Sequence, residues 1–326
     1  MYHPAPPALI GGAVVFWGVP TTTDAATYHL PVLADTVRAW AVGSRRAVDA
    51  TVGGGGHAAL LRAAGAEVLA IDRDPEALTA ARARLGDDGF HYLADAFASP
   101  AALAAITQFR PDRILLDLGV SSRQLDAEAR GFTFRPGAPL DMRMGGAGPT
   151  AADILNSWAE EELAQAFADG ADERRARPLA RTIVRRRLRA PFATSDDFVN
   201  AIREVLGPRS GPPDFARLFQ AIRIAVNDER EQLEQALPAF RDALVPGGRL
   251  AAITYHSGED RIVKNLLRDW AKECICPPRQ PVCTCRGKPL GTVLTPKGIV
   301  PDATEIRDNP RARSARWRAF EVPGEA

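Results

Sequence analysis

Cysteine is nearly missing from this 326-residue chain: four occur, all between residues 274 and 285. They are too few and too bunched for a disulfide framework, so a reducing cytoplasm is the expected compartment. Lysine is almost as scarce, four of forty-one basic residues, the rest being arginine. No run approaches the ~20 apolar residues of a membrane span, which excludes a helical membrane protein. The apolar stretch Ala8–Val19 has no basic residue before Arg38, so it lacks the opening of a signal peptide. Residues 1–27 are expected to be a disordered arm or the product of a misassigned start. Net charge is also lacking, +1 overall, so whole-chain charge names no partner and only local clusters can. What remains is an ordinary soluble composition, 46% hydrophobic and 25% charged, sized for one large domain or two modest ones.

From Ala47 the pattern is strand–helix–strand. Residues 47–52 form a short apolar strand that breaks into four glycines, and an Ala/Leu-rich helix follows over Ala58–Ala64. A second strand, Glu67–Ile71, ends at Asp72; Asp74 and Pro75 then cap and open a helix. Further strands are expected at Phe90–Leu93 and Arg113–Asp117. This alternation implies a parallel sheet with helices on both faces. From about 125 to 220 no strand is visible, only helical runs at Ala151–Asp169, Ala176–Leu188 and Ser195–Leu206. Strand logic resumes within Pro246–His256, and a helix follows over Glu259–Lys272. The reading is an α/β sheet domain, 28–124 plus 221–326, interrupted by a helical insertion at 125–220.

In such a sheet the ligand lies at the carboxyl ends of the strands, where Asp49, Asp72 and Asp117 end or flank strands. Glycines 53–56 let backbone approach a ligand and offer a helix N-terminus to an anion. Asp72 stands about 20 residues beyond them, where an acid meets ribose hydroxyls. A dinucleotide fits these features as well as any other adenine nucleotide. An NAD(P)-dependent dehydrogenase therefore stays open here, as does an RNA-binding protein with an inactive cofactor domain.

Several longer strings are more specific. They are His29-Leu-Pro-Val-Leu33, Gly55-Gly-His57, Ile71-Asp-Arg-Asp-Pro75, Leu115-Leu-Asp-Leu-Gly-Val-Ser-Ser122 with Gln124, and Pro139-Leu-Asp-Met-Arg-Met144. Phe219-Gln-Ala-Ile-Arg223, Pro246-Gly-Gly-Arg-Leu250, His256-Ser-Gly-Glu-Asp-Arg261 and Asn309-Pro-Arg-Ala-Arg-Ser314 follow in order. On these, residues 29 to about 320 resemble the bacterial 16S ribosomal RNA cytosine-N4 methyltransferase family, the MraW/RsmH group. The resemblance implies a class I, Rossmann-like S-adenosylmethionine methyltransferase fold with the helical insertion as RNA-substrate domain. It implies cofactor contacts at Gly55, Gly56, His57, Asp72, Phe97, Asp117 and Gln124. It also implies methylation of a cytidine in the decoding region, on small-subunit RNA or the assembled subunit, with a homodimer left open. Arg123, Gly258 and Asp228 depart from the family's usual residues.

Arg174, Arg175, Arg177, Arg181, Arg185, Arg186, Arg187 and Arg189 fall in one acid-free stretch, which reads as an RNA-phosphate surface. A second set, Arg307 to Arg318 around Trp317, reads equally as RNA surface or exposed tail. No cysteine stands near the fourth strand, which argues against carbon-5 methylation; amine methylation needs an aligned attack and a proton acceptor. Asp141 and His256 are the first candidates to polarise the amine. Cys274, Cys276, Cys283 and Cys285 form a C-x-C…C-x-C set whose thiolates could hold a structural Zn²⁺.

Overall fold

Asp49, Asp72 and Asp117 end three strands of one sheet, as alternating strands and helices require. In the computed structural model the described residues are 31–277, 280 and 282–325; the expected arm over 1–27 lies outside them. The strands are β1 (Arg46–Asp49), β2 (Glu67–Asp72), β3 (Phe90–Ala94), β4 (Arg113–Asp117), β5 (Arg249–Thr254), β6 (Thr292–Val293) and β7 (Arg316–Glu321). Their order is β3-β2-β1-β4-β5-β7-β6, parallel from β3 to β5, with β7 antiparallel to both neighbours. Val68–Ile71 and Ile114–Leu116 are buried throughout, as strands covered on both faces must be.

Helices α1 (Ala34–Ala41), α2 (Gly56–Ala63) and α3 (Pro75–Leu85) cover one face, contributing Trp40, Leu61, Leu78 and Ala81 to its core. Helix α4 (Pro100–Phe109) begins the other face. After β4 the chain leaves the sheet through α5 (Ser122–Asp126). It then builds a helical unit from α6 (Ala151–Ser157), α7 (Glu160–Ala171), α8 (Ala176–Arg187), α9 (Ser195–Leu206) and α10 (Pro212–Val226). Returning, α11 (Glu229–Ala243) and α12 (Ser257–Trp270) join α4, burying Leu237, Phe240, Leu267 and Trp270 against Ile106. Helix α13 (Ala303–Asp308) precedes β7. No described helix is long and apolar enough to cross a membrane.

The helical unit has its own core, running from Leu140 to Val226, so α10 crosses the 220/221 boundary drawn from sequence. Gly170 allows α7 and α10 to touch, since a Cβ there would stand 2.8 Å from Ala221 Cα. The helical run expected over Ala151–Asp169 is two helices, because Trp158 and Ala159 are extended. Asn227 joins the two units. Its Oδ1 accepts from Met144 N (2.8 Å) and its Nδ2 donates to Met142 O (2.7 Å), while Arg73 donates to its carbonyl (3.0 Å).

The exposed-tail reading of the C-terminal arginine cluster is corrected from Arg316 on, while Arg307 and Arg313 are exposed. β7 lies inside the sheet with Trp317 1% exposed, edge-on to Trp40 at 5.5 Å. Arg318 is 5% exposed and paired twice with Asp260, at 2.6 and 3.0 Å. A strand carrying a buried arginine reads as a tail until its partner, far away in sequence, is known.

Candidate active site

The sheet's strand order reverses between β1 and β4, the switch point at which open α/β sheets bind ligands. A cleft of about 710 Å³ opens there, between the carboxyl ends of the strands and α10 of the helical unit. Its floor is acidic. Asp72 and Asp117 line it, and Asp49 lies behind them, buried outright, its Oδ1 accepting from Thr51 N at 3.2 Å and its Oδ2 without a hydrogen-bond partner. Burial pushes its pKa up to about 7, against the opposing pull of His57. Asp117 is likewise raised by burial, with His57 and the Tyr255 hydroxyl, which donates to it at 2.8 Å, acting the other way. Asp72 is raised by burial too, although it accepts from Gly53 N (2.8 Å) and Asp74 N (2.9 Å).

His57 sits 2.8 Å through Nε2 from the Val32 carbonyl, which can only accept, so that nitrogen carries hydrogen. Its Nδ1 then faces Asp117 Oδ2 at 3.4 Å. The glycine turn divides its labour. Gly53 (φ 50°) and Gly54 line the cleft, while Gly55 (φ 78°) does not and serves packing: a Cβ there would reach 2.7 Å from Leu85 Cδ1. Gly56 and His57 line the cleft. So does Phe97, its ring 6.2 Å from that of Phe240. Gln124 also reaches it, though its side chain is engaged: Oε1 accepts from Ser121 N (3.0 Å) and Nε2 donates to Asp74 Oδ2 (3.0 Å).

The two candidates for the amine part company. Asp141 is not among the residues lining the cleft. Arg143 grips both its oxygens at 2.8 Å and holds its carboxyl below the usual range, which unfits it as a proton acceptor. His256 lines the cleft, capping α12 with Nδ1 3.4 Å from Glu259 N. Its Nε2 lies 3.0 Å from Glu259 Oε1 but is not aligned for a hydrogen bond. Gly258 leaves the ring room, since a Cβ there would come 3.1 Å from Nδ1. Sequence reasoning passed over the neighbours of His256: Tyr255, Glu259, and the Arg223–Glu229 pair (2.8 Å twice) all line the same wall. The i,i+3 spacing of His256 and Glu259 was the available signal for one of them.

The arginine stretch behaves differently from its sequence. Acids from neighbouring helices meet it: Glu160 pairs with Arg181, and Glu204 with Arg185 and Arg186. Arg187 turns inward, donating to Leu155 O (3.1 Å) and Trp158 O (2.7 Å) at the end of α6, so it is no phosphate contact. Arg174, Arg177 and Arg189 are exposed and have no side-chain partner among the described residues. Cys274, Cys276, Cys283 and Cys285 are free thiols gathered in one loop beyond α12.

Comparison with known proteins agrees in extent with the cleft and the sheet together. Residues 26–322 match the profile of the MraW methylase family. The chain is 56% identical over 299 residues to the ribosomal RNA small subunit methyltransferase H of Gemmatimonas aurantiaca, covering 90% of this chain and 95% of that protein. It is 43% identical over 312 residues to the protein of the same name from Heliobacterium modesticaldum, covering 90% and 98%. For the Rubrobacter xylanophilus protein of that name the figures are 45% over 307 residues, 90% and 96%. A methylase is an enzyme that takes S-adenosylmethionine, which sets aside both the dehydrogenase and the inactive-domain readings. With a mostly parallel seven-stranded sheet of class I methyltransferase type and a match along nearly its whole length, the chain belongs to the MraW methylase family.

Proposed function

We propose that the chain methylates N4 of a cytidine in the decoding region of small-subunit ribosomal RNA, in the cytoplasm. The observation that carries the cofactor half is the floor of buried acids. Asp72 and Asp117, which line the cleft, and Asp49 behind them are all destabilised as anions by burial. A cation entering the cleft relieves that penalty, whereas the pyrophosphate of a dinucleotide adds to it. S-adenosylmethionine brings two positive groups and supplies the methyl from its sulfonium. Asp72 suits the ribose hydroxyls, Phe97 the adenine face, Asp117 the methionine ammonium, and the turn at Gly53, Gly54 and Gly56 the methionine carboxylate. His57 and Gln124 act through others: the first orients Asp117, the second holds Asp74 and the loop at Ser121.

The acceptor wall is then Arg223, Glu229, His256 and Glu259. The N4 lone pair is delocalised into the ring, so the wall must align the amine with the methyl and accept its proton as the new bond forms. His256 is the acceptor this wall offers, once its Nδ1 gives up the cap on Glu259 N, with Glu259 facing its Nε2. Arg174, Arg177 and Arg189 stand free for phosphates, and Arg181, Arg185 and Arg186 reach them by exchanging Glu160 and Glu204 for RNA. Zn²⁺ on Cys274, Cys276, Cys283 and Cys285 is the second ligand we propose, remote from the reaction. The test is mass mapping of small-subunit RNA methylated by the purified protein, with naked RNA and assembled subunits as separate substrates. N4-methylcytidine at one position is expected; label at carbon 5, or in large-subunit RNA alone, would sink the proposal. His256→Ala is expected to lower turnover with unchanged cofactor affinity, and Asp141→Asn to leave turnover within a few-fold.

A further inference from the structure

The four cysteines occupy a place in the fold that the methylation chemistry leaves unused. Cys274 Sγ lies 3.9 Å from Cys283 Sγ and 3.8 Å from Cys285 Sγ; Cys283 Sγ lies 3.8 Å from Cys276 Sγ and 3.5 Å from Cys285 Sγ. All four sulfurs fall within 4.8 Å of one another. A tetrahedral zinc thiolate with Zn–S near 2.3 Å has sulfurs about 3.8 Å apart, the spacing the loop already holds. The Ile275 amide donates to Cys285 Sγ at 3.4 Å, the kind of backbone support that thiolate ligands receive.

The loop is also anchored. The Arg286 guanidinium, one residue past the last cysteine, donates to the carbonyls of Asp269, Trp270 (3.2 Å) and Lys272 (3.1 Å), capping the C-terminal end of α12. Leu290 N donates to Trp270 O at 2.8 Å, two residues before β6 begins. Residues on the N-terminal turn of α12, His256 and Glu259, line the cleft, and the helix runs 14 residues away from it. At 1.5 Å per residue that is about 21 Å, too far for the ion to touch the reacting atoms.

We infer that Cys274, Cys276, Cys283 and Cys285 form a tetrathiolate zinc site that locks the segment from the end of α12 to β6, as a folding unit separate from the cofactor cleft. The inference rests on reading these thiols as a metal site, and goes beyond it in assigning the ion a role. Zinc analysis of full-length protein purified without chelator is expected to give about one equivalent. Cobalt exchange is expected to give the charge-transfer and d–d bands of a tetrahedral thiolate. Cys276→Ser with Cys285→Ser is expected to lose the metal, keep S-adenosylmethionine affinity within about twofold, and be cut by trypsin between residues 272 and 288 at least about tenfold faster. Less than a tenth of an equivalent of zinc, with no cobalt bands, overturns the metal site itself. Stoichiometric metal with unchanged proteolysis overturns the lock alone. Loss of cofactor affinity in the double variant overturns the separation from the cleft.

Discussion

Two charged regions of this molecule, the acids at the strand ends and the arginines of α8, look equally one-sided in sequence and are opposites in space. The acids are buried or half-buried and short of counter-charge: Asp49 and Asp117 share the nearby His57, and Asp49 Oδ2 has no hydrogen-bond partner. The arginines are outside, and three of them are neutralised by Glu160 and Glu204 from other helices. A run of one sign along the chain is therefore no measure of the local field, because helices packed alongside supply the other sign. A deficit of counter-charge at a buried site is different. It costs stability and persists where a ligand removes it.

The largest expected effect tests that deficit. Asp72→Ala removes an acid placed for two ribose hydroxyls, and the affinity for S-adenosylmethionine measured by calorimetry is expected to fall about 100-fold, near 3 kcal/mol. The same substitution made at exposed Arg181 is expected to leave that affinity unchanged. Equal losses would erase the distinction between the regions.

Asp49 offers a second test, through pH. An acid whose folded pKa is raised is still protonated in the fold when the unfolded chain has already lost its proton. Between the ordinary value of 3.8 and about 7, stability accordingly falls as pH rises, then levels off above that window. Asp49→Asn keeps an oxygen for the Thr51 amide and cannot ionise. Its unfolding free energy without cofactor is expected to exceed the parent's at about pH 8, by on the order of 4 kcal/mol, and to converge with it below about pH 4. That gain is expected to come with weaker cofactor binding. A variant less stable than the parent at every pH would mean that the buried carboxyl is a structural asset and not a ligand-directed strain.

Much of the sheet was legible because strands buried on both faces carry their own signature. Val68–Ile71 and Ile114–Leu116 are unbroken apolar runs, and Asp74-Pro75 writes a helix start into the chain. The cleft floor was legible for the same reason, since an acid ending such a strand stands at its carboxyl edge. β7 was not. Its arginines look solvated until Asp260, 58 residues away, is seen to pair with Arg318. Nor was the split between Asp141 and His256 visible, because it depends on Arg143 folding back over Asp141 and on the cleft taking Met144 and the start of α12 into its lining but not Asp141. Gly55 has a second role that no local motif reveals: it lets Leu85 of α3 pack against the turn.

Within the arginine stretch itself, Arg187 sharpens the contrast. Its guanidinium closes the end of α6 through the Leu155 and Trp158 carbonyls. Arg187→Ala is expected to cost about 1–2 kcal/mol in urea denaturation, for two lost hydrogen bonds in a half-buried place. The salt dependence of RNA binding is expected to stay as it was.

Arg177 and Arg189 should give the reverse, and the smallest, signal. Both are exposed and without partners among the described residues, so replacing them takes nothing from the fold. Each contact with a phosphate releases about one counterion, and losing one is expected to lower the slope of log affinity against log salt by about 0.7–0.9. Arg177→Gln and Arg189→Gln should each weaken RNA binding about threefold at moderate salt, with unfolding and cofactor affinity unaltered. Arg185→Gln should lose less than either, because in free protein its charge is already spent on Glu204 and the RNA must displace that acid first. If Arg185 instead mattered more than Arg177 and Arg189 together, the Glu204 pairs would have to be a resting arrangement that RNA opens. The substrate face would then centre on the hollow lined by Arg185, Arg186 and Arg189 beside Phe192.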